Sequence, residues 1–116
     1  MGIWIILKTS NNNSMAGKTK TLGSFTHGIF KPFEISSSLD NMFITNYHNI
    51  DIIVEMVVAI DGYEPVPLLI NTAVPPGVTL NILENQPLRI KNQKSSIRYT
   101  CADSSDNKMG VVYTAQ

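Results

Sequence analysis

The sequence predicts an all-β fold: an antiparallel β-sandwich of about seven or eight strands, jelly-roll-like or Ig-like. Three observations predict it. Short alternating apolar segments recur along the chain, punctuated by Gly, Pro, Asn and Asp. No stretch sustains a helical 3.6-residue period, and no internal repeat is visible. A chain of 116 residues that is 43% hydrophobic and 16% charged is globular in composition and sized for one domain.

The clearest element is the run Asp51–Asp61, DIIVEMVVAID. Ile52, Val54, Met56, Val58 and Ile60 fall on one face of a strand and form a continuous apolar set. The other face carries Asp51 and Glu55 beside Ile53, Val57 and Ala59, so it reads as half apolar and covered by a neighbour. Asp61-Gly62 is a hairpin signal, because a type I′ turn needs positive φ at both central positions. The return strand is Pro65–Asn71, with Val66, Leu68 and Ile70 alternating in the matching sense. Pro65 and Pro67 lack N–H donors, which places this strand at an edge or beside a bulge.

Pro75-Pro76-Gly77 then makes a rigid corner, since two fixed φ angles are followed by a residue free to take a positive one. Val78, Leu80 and Ile82 resume an inward face, Leu88 and Ile90 mark another short strand ended by Asn92-Gln93, and Ile97, Tyr99 and Cys101 mark the next. Asp103–Lys108 is a polar loop before the closing strand Met109–Thr114. Upstream, Met42–Tyr47 reads as a strand turned by Asn46–Asn49, and Lys18–Phe33 holds one or two more. Tyr99 and Tyr113 read as inward. Residues 18–116 are thus one sandwich domain, and 1–17 form a separate N-terminal stretch. Either residues 1–14 add an arm that docks on a partner, or Met15-Ala16-Gly17 is the natural start.

Chemistry is sparse. Cys101 is the only cysteine, so no intramolecular disulfide and no cysteine-rich metal site is expected, and it reads as a small buried hydrophobe. His27 and His48 stand at no metal-ligand spacing with a second His, a Cys or a carboxylate. No nucleophile or orienting carboxylate is placed for either as a general base. Gly17-Lys18-Thr19 lacks the earlier glycine of a phosphate loop, since that position is Asn12. The stretch Asp103–Asn107 has oxygen donors but neither the glycine nor the bidentate Glu of a calcium loop. No enzyme, cofactor or resident metal is therefore expected. Nine Lys and Arg balance nine Asp and Glu. A net charge of zero gives no reason to expect nucleic acid or an anionic membrane as partner, and little repulsion to oppose self-association. The four cations Arg89, Lys91, Lys94 and Arg98 read as a solvated face, with Arg89 and Lys91 outward.

The order of turns resembles that of small all-β virion proteins of tailed bacteriophages. The features that carry the resemblance are a turn into a long alternating strand, a D-G hairpin, the corner Ala73–Gly77 with Leu80, and a last hairpin over Ile97–Asp103 and Val111–Tyr113. The match spans about residues 40–114, and Asn92-Gln93-Lys94 departs from the acidic-glycine turn of that group. The resemblance implies a structural subunit of a virion: a capsid cement, or a neck or tail component. Its partners would be a major capsid protein, neck or tail subunits, and further copies of itself. The expected contact residues are Trp4, Ile5 and Ile6 in the arm, Ile53 and Val57 on the half-apolar face, and Arg89 and Lys91. The alternative class is a carbohydrate- or host-surface-binding sandwich, which would need exposed aromatics such as Tyr47 and Tyr63.

Overall fold

A computed structural model describes residues 17–60, 62–84, 86–89 and 92–116. Trp4, Ile5, Ile6 and Lys91, together with Asp61 and Ile90, lie outside the described residues. Eight strands are present among the rest: β1 (Lys18–Thr21), β2 (Lys31–Ile35), β3 (Leu39–Asn46), β4 (Ile52–Ala59), β5 (Val66–Val74), β6 (Thr79–Asn81), β7 (Gln93–Thr100) and β8 (Met109–Ala115). They form two four-stranded sheets, ordered β1-β8-β3-β6 and β2-β7-β4-β5.

Every pairing is antiparallel, and the set has an inner logic. β1 pairs with β8, β2 with β7, β3 with β6 and β4 with β5. The chain is therefore one long hairpin rolled into two layers, with β3–β8 and β4–β7 closing the roll sideways. That is a jelly roll of two Greek keys, and it decides between the two expected sandwiches.

The core lies between the sheets. Ile52, Val54, Met56 and Val58 of β4 are all buried, as the alternation requires. They face Met42 and Ile44 of β3 and Met109, Val111 and Tyr113 of β8, with Ile97 and Tyr99 beside them on β7. Phe33 and Tyr113 meet across the layers with ring centroids 5.4 Å apart. Each large side chain buried this way is worth about 1.5–3 kcal/mol of transfer free energy. Both tyrosines expected inward are inward.

The Pro-Pro-Gly corner carries the chain from β5 in one sheet to β6 in the other. Val78 N–H donates to the Pro75 carbonyl at 3.2 Å, and Gly77 has φ of 73°. Proline at the second position and a positive φ at the third make a type II turn, which only glycine adopts without strain. The corner is then tied down by Asn46, the buried last residue of β3. Its backbone N–H donates to Val78 O and its carbonyl accepts from Gly77 N–H, both at 3.1 Å. Its side-chain amide donates to Val74 O at 2.8 Å and to Ile50 O at 2.9 Å, while its Oδ1 accepts from His48 N–H at 2.7 Å. One asparagine thus clamps the β3–β4 turn to the β5–β6 corner.

Two sequence expectations fail here. β5 is an edge strand, as its prolines require, but Val66, Leu68 and Ile70 remain 54%, 39% and 63% exposed. The β4–β5 register shifts twice, between Val54 and Met56 and between Met56 and Val57. The extra residues break the simple alternation, and Asn71 takes a φ of 45° beside them. The opposing β6 is only three residues long, so among the described residues no strand covers the overhang. Leu88 does not begin a strand either. It makes one isolated bridge to Leu39, and Gln93 opens β7 instead of ending the preceding segment.

Candidate functional site

Two places on the molecule carry features that the core does not explain. The first is the open side of the sandwich along β5. Val58, Ile60, Val66, Leu68 and Leu88 line an apolar cleft of about 150 Å³, with no polar side chain among its described lining residues. Val66 lies opposite Val58 in the register, so its side chain points toward the interior. It stays exposed because the facing layer ends early. Ile70 falls in the register shift between the paired residues Leu69 and Thr72 and is exposed outside the cleft. β5 carries no charged residue along its nine positions.

The sheet edges themselves are poor templates for another chain. β1 is short and carries Lys18 and Lys20, β2 carries Lys31 and Pro32, β6 has three residues, and β5 has Pro67 and its two register shifts. Lysine, proline, brevity and bulges all hinder edge-to-edge pairing. What the β5 side offers a partner is apolar side chains.

Ile53 and Val57 lie on the outer face of β4 and are half-buried by their own sheet neighbours. Ile53 sits between Thr100 and Ala73, and Val57 between Ser96 and Pro67. Between them Glu55 accepts from Arg98 at 2.6–2.7 Å, and the Arg98 guanidinium lies 4.6 Å from the Phe30 ring centroid. Arg98 is thus engaged by Glu55 and Phe30. Arg89 is exposed, and Lys94 stands opposite Glu34 in the β2–β7 register.

The second place is at the end of the sandwich near the Asn46 clamp, and sequence spacing gave no sign of it. The β3–β4 turn brings His48 against the turn that follows β7, where Cys101 and Asp103 stand. His48 Nε2 lies 2.7 Å from Asp103 Oδ2, and Cys101 Sγ lies 3.2 Å from Asp103 Oδ1. His48 Nδ1 accepts from Asn49 N–H at 3.0 Å, so the ring proton is on Nε2 and points at the carboxylate. The carboxylate also accepts from Ser105 N–H at 3.1 Å. These donors, the thiol first, hold the Asp103 carboxyl well below the usual carboxylate range. Burial, and then the same carboxylate, push the Cys101 thiol up. The thiol thus serves as a donor to that carboxylate. The order Cys–Asp–His also puts the acid between the other two, where a nucleophile–base pair would need the histidine.

Below this cluster Tyr99 supports the same turn. Its hydroxyl donates to Ser105 O at 2.6 Å and accepts from Lys108 N–H at 3.1 Å, and burial pushes its phenol up. His27 Nε2 accepts from Cys101 N–H at 3.0 Å. His27 thus braces the backbone beside Cys101.

The aromatics needed for a ligand platform are split. Tyr47 is exposed and lies against Gly110, on the wall of a groove of about 320 Å³ that also takes in Thr21, Ser24 and Asn107. Tyr63 is exposed at the far end of β4. Seven steps along β4 at about 3.3 Å each separate the two turns by roughly 23 Å, so the pair cannot grip one sugar.

No protein-family model matches the chain, and a search of curated proteins finds no relative. Among solved structures, a chain from the "T13 IBDV viral particle" overlaps 86% of this chain at 12% sequence identity, with a TM-score of 0.42. The overlap spans 31% of that larger chain. A likeness this loose leaves the functional reading to the molecule's own surfaces.

Proposed function

We propose that this chain is a non-catalytic structural subunit of a virus particle, held to its neighbours through the uncovered apolar side of β5. The observation that carries the reading is the exposed apolar pair Val66 and Leu68, left open over the cleft that reaches Val58 and Leu88, with exposed Ile70 next along the strand. Water contact on such a strip is unfavourable by about 25 cal/mol per Å². A partner that removes it from water gains that free energy, and the zero net charge opposes association little. The jelly roll is compatible with shell proteins and equally with lectins, so the fold is an analogy and the surface is the argument.

The finer assignment is to a tailed bacteriophage, as a capsid cement or a neck or tail component, with copies of the chain and other virion proteins as partners. It rests on the turn pattern from the Pro-Pro-Gly corner to the last hairpin. The outer face of β4 with Ile53 and Val57, and exposed Arg89, are secondary contacts in this reading. A carbohydrate-binding role is disfavoured by the distance between Tyr47 and Tyr63.

The test is particle incorporation of Leu68→Glu and Ile70→Glu, with Val57→Glu beside them. The two β5 variants are expected to fold as the parent does, within about 0.5 kcal/mol for exposed positions, and circular dichroism checks that half-buried Val57→Glu is folded before its incorporation is read. The two β5 variants should be missing from purified particles by quantitative mass spectrometry. Parent protein present at shell-like copy number would mark a cement, and a few copies per particle a neck or tail part. Its complete absence from particles, or full incorporation of both β5 variants, would overturn the proposal.

A further inference from the structure

We propose that His48, Cys101 and Asp103 form a site for a zinc-class divalent cation, with a water as fourth ligand. The imidazole nitrogen, the thiol sulfur and a carboxylate oxygen all lie within 4.8 Å of one another, though the residues come from two separate turns. A tetrahedral zinc ion bound at about 2.0–2.3 Å requires donor atoms about 3.3–3.8 Å apart. The present contacts of 2.7 Å and 3.2 Å run to different carboxylate oxygens and are slightly tighter, while the three donors together span up to 4.8 Å, so the carboxylate must move outward and the Cys101 sulfur toward His48, each by about 1 Å or less, to admit the ion. Asp103 is free to do so, because its side chain is 47% exposed, whereas that of His48 is 9% exposed and fixed.

The donor set selects the ion. Thiolate and imidazole suit zinc and cobalt(II) and serve calcium and magnesium poorly. The charges also close: one thiolate and one carboxylate neutralise a doubly charged ion, and the histidine stays neutral. Binding therefore releases one proton, from the Cys101 thiol. The imidazole keeps its proton but moves it from Nε2 to Nδ1, which breaks the Asn49 N–H contact. That rearrangement is the cost of binding and also its local signature. The proton release makes affinity fall as the medium is acidified. The bound ion would staple the β3–β4 turn to the turn after β7, beside the Asn46 clamp.

The experiment is a titration of the full, reduced chain with cobalt(II) alone, followed by zinc. The expected result is one cobalt per chain, a near-ultraviolet thiolate-to-cobalt band and visible absorption of tetrahedral strength, all lost when zinc is added. In ¹⁵N spectra the Asn49 amide should shift on zinc binding. Cys101→Ser should abolish the thiolate band. Asp103→Asn, at an exposed position, should weaken cobalt binding by at least about tenfold, a ligand loss being no milder than loss of an outer-shell partner. Circular dichroism establishes that each variant is folded. No thiolate band at millimolar cobalt, or a band unchanged in both variants, would overturn the proposal; so would zinc bound with the Asn49 amide unmoved.

Discussion

Asn46→Ala removes the side chain that joins the β3–β4 turn to the β5–β6 corner. Three backbone groups lose a partner: the Val74 and Ile50 carbonyls and the His48 N–H. The Val74 carbonyl is the expensive one, because Val74 is 1% exposed and water does not reach it readily. A buried group left unsatisfied costs about 1–3 kcal/mol. Ile50 and His48 are half-buried and recover part of their loss through water, at about 0.5–1 kcal/mol each. The sum is about 3 kcal/mol. With an unfolding entropy of about 2.1 cal/mol/K per residue over roughly 100 ordered residues, this lowers Tm by about 12–15 °C. Urea unfolding followed by circular dichroism measures it, with an unchanged slope required for the comparison. Thr45→Val is the control. It removes the exposed Thr45–Thr79 hydroxyl contact and should cost under about 0.5 kcal/mol. A loss below about 1 kcal/mol for Asn46→Ala would mean that water replaces the clamp and that the proline corner holds itself.

Two further outcomes follow from the same end of the molecule. Tyr99→Phe keeps the ring in the core but leaves Ser105 O and Lys108 N–H without the hydroxyl, and should cost about 1–3 kcal/mol in the same urea assay. Asp103 has a folded-state pKa below its unfolded value, so its contribution is fully present above the unfolded value of about 3.9 and is lost as pH falls from there. Asp103→Asn should therefore be less stable than the parent at pH 6, and the two stability curves should draw together below about pH 4. A constant gap between them across that window would show that the carboxylate's charge is not what the turn relies on.

Alternation by itself determined the buried face of β4, the inward tyrosines Tyr99 and Tyr113, and the all-β class. A period of two leaves no choice once one face is continuously apolar. The prolines of β5 also determined an edge position, because they remove hydrogen-bond donors wherever the strand lies. Local pattern could not foresee the two bulges in β5, since these depend on how β4 pairs with it. The apolar residues Val66, Leu68 and Ile70 therefore read as core and became surface. Nor could spacing reveal that His48 meets Cys101 and Asp103. They are more than fifty positions apart along the chain, and only the rolled hairpin, which stacks the turn after β3 against the turn after β7, brings their donor atoms together. The jelly-roll order has the same origin: strand identity is written in short-range pattern, but which strand lies beside which is settled by how two sheets close over one core.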